Sequence, residues 1–289
     1  MKIFNGGVAV ITGAASGIGF ALAERAAREG MGVVLADIEV EALMAAEARI
    51  SALGAQTMAL VTDVRRQSDL DALAGAAYEH FGGVNLLCNN AGVLHHEKAT
   101  WEFEQRDWDW VFDVNVKGVV NGLRAFVPRM LESGQEGHIV NTASMAGLVT
   151  GRIGNAIYDA SKHAVLSLSE SLYRDLAILT DRLTASVLCP GGVATNIWTA
   201  ERNRPRDYGD SETTEPIERG AAGGLLQPSE MADAVFAAIR ENRFYVLAAQ
   251  TGIYEVVKMG HDRMWEGKNP AVSRALIAAR EARREREER

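Results

Sequence analysis

The chain repeatedly sets a short, continuously apolar run before a helix-length stretch, and this alternation limits its fold more than any other feature. The runs fall at 8–12, 32–37, 56–61 and 84–89, with helical stretches to about residue 28, at 41–53 and at 68–81. A strand with one face in water alternates apolar and polar residues. A strand apolar throughout is buried on both faces, as in a parallel sheet covered by helices. The second half continues in the same way. Val116, Val119, Val120, Leu123, Phe126, Val127 and Met130 repeat at helical spacing over 113–131, where Pro128 predicts a bend or an early end. A strand at 137–142 precedes a long helix at 156–179, with Val165, Leu168, Leu172, Leu176 and Leu179 inward, and strands follow at 183–188 and 243–247. With right-handed crossovers this is one doubly wound α/β (Rossmann) domain over residues 1–250, its seven-stranded, mainly parallel sheet covered by helices on both faces. Residues 251–289 read as a C-terminal helical extension whose Arg- and Glu-rich end is solvated. The polar stretch 195–227 reads either as a lid over the site or as a surface insertion.

The bulk properties exclude several classes. A formal charge of −8 does not suit a nucleic-acid surface or an anionic membrane. No apolar run approaches the roughly 20 residues of a membrane span, and the N-terminus enters the first strand without signal-peptide organisation. Cys88 and Cys189, both in apolar runs, read as small buried hydrophobes of a reducing compartment, so the expected location is the cytoplasm. These cysteines and the His95–His96 pair lack metal-site spacing, so no metal is expected.

Chemistry gathers at two places. Tyr158 and Lys162 are four apart, one turn along a helix, which sets a phenol beside an ammonium. A cation there lowers a phenol from its usual pKa of about 10 into the range of a general acid/base, and Ser144, after a strand, can hold a substrate oxygen against it. Taken alone, the pair reads as an ordinary surface pair on an amphipathic helix, and its weight comes from the motifs that precede it. Near the start, Thr12-Gly13-Ala-Ala-Ser16-Gly17-Ile18-Gly19 follows the first strand and opens the first helix. Glycines there let the backbone approach a pyrophosphate at a helix N-terminus. Asp37 ends the second strand, where a carboxylate accepts from both adenosine ribose hydroxyls and repels a 2′-phosphate. Neither Ser16 nor Ile38 is basic, which favours NAD over NADP. The alternative makes Asp37 a helix cap, with Arg65 or Arg66 on a phosphate.

The Gly-x-x-x-Gly-x-Gly spacing, Asn89-Asn90-Ala91-Gly92 and Tyr158-x-x-x-Lys162, in that order at strand ends, resemble the short-chain dehydrogenase/reductase family. The resemblance spans residues 12–195. It implies an adenine contact at Asp63 and Val64 and cofactor lining by Asn90, Ala91 and Gly92. It also implies a nicotinamide loop with Pro190, Gly191, Val193 and Thr195, beside Gly13, Ser16, Gly17, Ile18, Gly19 and Asp37. Asn115 completes a catalytic tetrad with Ser144, Tyr158 and Lys162, holding a water near Lys162 that continues a proton relay. Read locally, Asn115 caps the helix that starts near it. The family also implies that Tyr158 and Lys162 touch the cofactor, and that two long helices pair copies into a homodimer or homotetramer. For the substrate, Ser144, Met145, Ile153, Tyr158 and Trp198, with Leu148, Val149, Val193 and Ile197 near them, suggest a largely apolar wall. Arg152 is the one cation expected close by, or else faces solvent, and His95 is expected at the pocket edge or surface. The implied function is an NAD-dependent oxidoreductase interconverting a hydrophobic, aromatic or alicyclic, secondary alcohol and its ketone. The rivals are an NADPH-dependent carbonyl reductase and an NAD(H)-binding redox sensor.

Overall fold

Strand β1 (Val8–Thr12) shows how the two cores are divided: Val8 and Val10 enter one, Ala9 and Ile11 the other. The computed structural model describes residues 1, 3–149, 151–209 and 224–272. It adds β2 (Gly32–Asp37), β3 (Thr57–Val61), β4 (Leu86–Asn89), β5 (Gly137–Thr142), β6 (Leu183–Pro190) and β7 (Tyr245–Ala248). All neighbouring pairs are parallel, in the order β3-β2-β1-β4-β5-β6-β7. Helices α1 (Gly17–Arg28), α2 (Val40–Ser51) and α7 (Pro228–Arg240) bring Leu22, Leu43 and Phe236 to the core that holds Ile11. On the opposite face, α3 (Gln67–Phe81), α5 (Gly118–Ser133) and α6 (Ala156–Leu179) bring Leu70, Phe126 and Leu176 to the core that holds Val10. Each such side chain contributes about 2 kcal/mol relative to leaving it in water.

The differences from expectation have local causes. Pairing in β4 begins at Leu86, two residues late, because the Asn85 side chain itself accepts from the Val8 amide at 3.0 Å. Between α4 (Gln105–Phe112) and α5, residues Asp113–Lys117 form a π turn rather than the start of a regular helix. Pro128 does not end α5, which runs on to Ser133. Pro128 and Arg124, whose carbonyl loses its partner four residues on, both lie on the exposed side, where water can satisfy that carbonyl. Leu179, expected inward, is exposed at the end of α6. Helix α7 lies in a stretch that the periodicity reading passes over. Pro228 at its first position and a capping box of Gln227 with Glu230 announce it.

The order of strands reverses between β1 and β4. In an open parallel sheet the crevice at such a point, outside the carboxyl ends of the strands, is where ligands bind. The extension supplies α8 (Thr251–Trp265), whose Ile253 and Val257 fold back against Met145 and Leu148. Within the expected lid, 196–208 forms short 3₁₀ turns, whereas 210–223 lies outside the described residues, as does the charged tail 273–289. Among the described residues no helix is long and apolar enough to cross a membrane.

Candidate active site

A cavity of about 690 Å³ opens at the carboxyl ends of β1, β2, β4, β5 and β6. At one end stands the glycine turn. Gly13, Ser16, Gly17 and Ile18 line it. Gly17 adopts φ +55°, the left-handed region in which a side chain is strained. Gly19 stands behind the others, not on the cavity wall, and a Cβ there would fall 2.0 Å from the Gly13 carbonyl oxygen, so this glycine lets the helix close on the turn. Ser16 is the N-cap of α1 yet makes no side-chain cap, which leaves the first-turn amides unclaimed by it. Asp37 also lines the cavity. Its carboxylate accepts from the Ala15 amide at 3.0 Å and the Glu39 amide at 3.1 Å. Burial pushes its pKa up, against those amides. Asp37 therefore fixes the turn before α2 without serving as that helix's N-cap, which is Glu39. Arg65 is held by Asp63, with its Nε 2.9 Å from Oδ1 and an amino group 2.5 Å from Oδ2.

The middle of the cavity is lined by Val64, Asn90, Ala91 and Gly92. Asn90 donates to the Thr12 carbonyl at 3.0 Å and so ties β4 to β1 across the crevice. Beyond them Pro190, Gly191, Val193 and Thr195 form the loop after β6.

Ser144, Tyr158 and Lys162 share this cavity. Ser144 follows β5 and caps a single 3₁₀ turn by accepting from the Ala146 amide at 3.1 Å. Tyr158 sits in the first turn of α6, and Lys162, one turn on, has its Nζ 5.6 Å from the phenol ring centroid and donates to the Thr142 carbonyl at 3.1 Å. The expected lowering of Tyr158 by Lys162 is not what the folded chain displays. Burial pushes the phenol up, opposed first by the Ser144 hydroxyl and then by the Arg152 charge. Burial also pulls Lys162 down to about 8, so its ammonium is itself poorly tolerated.

Asn115 is buried inside the π turn and caps nothing. Its Oδ1 accepts from the Val93 amide at 2.8 Å, and its Nδ2 donates to the Val93 carbonyl and to Ser161 Oγ, both at 3.0 Å. A Cβ placed on Gly92 would lie 3.3 Å from both Asn115 Oδ1 and Lys162 Nζ. The glycine thus keeps a small space open between the two. His95 is neither at the pocket edge nor on the surface, being 2% exposed. Its Nδ1 lies 2.7 Å from the His96 carbonyl, and its Nε2 accepts from the Tyr158 amide at 3.3 Å. It thereby satisfies an open amide at the start of α6 and props the turn that carries Tyr158.

Met145, Val149, Ile197 and Trp198 wall the far end with Leu94. Ile153 does not belong to this wall: it is 66% exposed, on the outer side of the turn before α6. Leu148 packs behind, among the residues under α8. Sequence reasoning missed the residues that replace them, Ile253 and Val256 of α8, and also Arg202 and Asn203. The last two bridge the cavity mouth to Glu39, at 2.5 and 2.8 Å. Behind them a buried ion pair of Arg204 with Asp107 at 2.7 Å fastens the 196–208 segment down. Arg152 is not a free cation. Its side chain makes a two-pronged pair with Asp159 at 2.5 and 3.0 Å. Among the described residues, every arginine lining the cavity is paired in this way with a carboxylate: Arg65 with Asp63, Arg152 with Asp159, and Arg202 with Glu39.

This donor set fits a nicotinamide dinucleotide. A glycine turn opens onto unclaimed helix amides for a pyrophosphate, and a carboxylate stands at the end of β2 for a ribose diol. Comparison with known proteins agrees. Residues 7–206 match the family model described as short chain dehydrogenase. The chain is 41% identical over 242 residues to 1-deoxy-11-beta-hydroxypentalenate dehydrogenase of Streptomyces exfoliatus, covering 83% of this chain and 82% of that one. It is 32% identical over 238 residues to 3beta-hydroxysteroid dehydrogenase 2 of Eggerthella lenta, covering 81% and 89%. Among solved structures, a short chain dehydrogenase/reductase from Burkholderia phymatum in complex with NAD superposes with a TM-score of 0.88 at 42% identity, covering 94% of this chain and 99% of that one.

Proposed function

The chain belongs to the short-chain dehydrogenase/reductase family, oxidoreductases acting on CH–OH groups, and we propose that it interconverts an uncharged, hydrophobic, alicyclic or aromatic secondary alcohol and its ketone with NAD. The observation that carries this reading is a single cavity holding three things together: the Ser144, Tyr158 and Lys162 side chains, the Asp37-bearing nucleotide end, and an apolar far end without an unpaired arginine. Among the described residues, a carboxylate or phosphate at this far end would meet no unpaired arginine, while Met145, Val149, Trp198 and Ile253 reward an apolar ring system. Two of the relatives carry hydroxylated polycyclic substrates in their names, hydroxypentalenate and hydroxysteroid, which supports an alicyclic substrate here.

In the proposed reaction Ser144 Oγ holds the alcohol oxygen while Tyr158, as phenolate, takes its proton. When bound, NAD supplies the acceptor for the hydride that leaves the carbinol carbon. The proton passes from Tyr158 toward Lys162 and the space kept by Gly92 beside Asn115. Lys162 and Tyr158 also hold the nicotinamide ribose. Asp37 takes the adenosine ribose diol, and Asp63 and Val64 border the adenine. The choice of NAD rests on Asp37 and on Arg65, whose commitment to Asp63 leaves it no role for a 2′-phosphate. The long helices α5 and α6 are the proposed surfaces of a homodimer or homotetramer, which size-exclusion chromatography with light scattering measures.

The test is absorbance at the reduced-nicotinamide band with NAD or NADP and a panel of hydrophobic secondary alcohols, with Tyr158→Phe alongside. Turnover with NAD that falls by at least about a thousandfold in the variant supports the reading. Turnover confined to NADP overturns the cofactor assignment. NADH binding without turnover on any alcohol overturns the enzymatic one.

A further inference from the structure

Gln250 occupies the N-cap position of α8 yet does not cap it. Its side chain turns instead to the loop after β6. The carboxamide Nε2 donates to the Gly192 carbonyl at 2.9 Å and to the Gly224 carbonyl at 2.8 Å, and Oε1 accepts from the Gly192 amide at 3.3 Å. Both sides of the Gly192 peptide are therefore held by one side chain. The neighbouring Gly191 admits it: a Cβ there would stand 2.5 Å from Gln250 Oε1. The same loop is bound on its other flank by Leu226, whose amide donates to the Gly192 carbonyl at 2.9 Å and whose carbonyl accepts from Ala194 at 2.9 Å. Only a primary amide offers two donors and an acceptor from one position. A glycine pair beside Pro190 otherwise has little to hold its backbone still.

We propose that Gln250 is a positioning residue that fixes the Gly191–Gly192 loop for the nicotinamide end of the cofactor and joins that loop to the α8 wall of the substrate cavity. The same α8 carries Ile253 and Val256 into the cavity, so one rigid connection sets both the cofactor loop and the apolar wall. The proposal rests on the reading of this cavity as a nicotinamide site.

Gln250→Met keeps the bulk and loses all three hydrogen bonds, and Gln250→Glu keeps an acceptor but loses both donors. NADH binding is followed by fluorescence titration, KM for NAD and kcat by turnover, and folding by thermal melting. Both variants are expected to raise the Kd for NADH and the KM for NAD by about tenfold, with a smaller change in kcat and a Tm close to the parent's. A variant that melts like the parent and binds NADH within twofold of it overturns the proposal, as does a loss confined to Tm. If the parent binds NADH but oxidises no alcohol, the dehydrogenase reading fails while the binding titration still decides the role of Gln250.

Discussion

The buried Lys162 ammonium costs this molecule stability, and Lys162→Met makes that cost measurable. Burial lowers the ammonium pKa from its ordinary 10.5 to about 8. At about 1.4 kcal/mol per pH unit, holding the charged form in the folded chain at neutral pH costs about 3 kcal/mol. Methionine is close in volume and carries no charge, so the substitution removes that cost. It also removes the charge-assisted hydrogen bond to the Thr142 carbonyl, worth about 2 kcal/mol. The variant is therefore expected to be more stable than the parent by about 1 kcal/mol at pH 7, about 2 °C in Tm for a chain of this size, while losing turnover. Below pH 8 both folded and unfolded parent chains carry the proton, and the folded chain bears the full cost. Between 8 and 10.5 the folded lysine is neutral while the unfolded one is charged, so the parent gains stability as pH rises. The advantage of the variant should thus vanish near pH 10. Urea unfolding of both proteins at pH 7 and pH 10 decides it. A Lys162→Met protein less stable than the parent by the same margin at both pH values refutes the reasoning.

Asp37→Ser should narrow the preference for NAD over NADP by at least about tenfold in kcat/KM, because it removes the carboxylate that meets a 2′-phosphate; steady-state kinetics with both cofactors measures this. Gly19→Ala places a methyl 2.0 Å from the Gly13 carbonyl and should abolish NADH binding or folding, read by titration and circular dichroism. With Tyr158 pushed up by burial, alcohol oxidation needs the minor phenolate form, so kcat/KM for oxidation should climb with pH across 6 to 9. Val256→Trp should fill the α8 side of the cavity and raise KM for bulky alcohols while sparing small ones, as a size series of substrates would reveal.

What was legible in the sequence was whatever is local. Continuously apolar runs marked the strands, and motifs at their carboxyl ends needed only the parallel sheet to bring them together, which is why Gly13, Asp37, Asn90, Ser144 and Tyr158 meet in one cavity. What failed depended on partners far away or on direction. Ile153 follows Arg152 into the turn before α6, but nothing local says that Arg152 turns toward Asp159 while Ile153 turns outward. Arg202 meets Glu39 across 163 positions, a pairing that no pattern announces. His95 reads as a residue of the pocket edge or surface, yet it is the acceptor that an open helix amide requires. A helical extension after residue 250 was readable, but not the wall against which α8 lies.

The strand order also carries a timetable. Because β2 and β3 add to one side of β1, and β4 to β7 to the other in sequence, every strand can join an existing edge as it leaves the ribosome. The glycine turn and Asp37 emerge first, Tyr158 later, and the Gly191 loop with Gln250 last. At roughly 5–20 residues per second, the phenol precedes its final retaining side chain by about 5–20 s. For that interval a nascent chain holds the nucleotide end of the crevice and Tyr158 but neither Gln250 nor α8, so the far side of the cavity is walled only once α8 has been made.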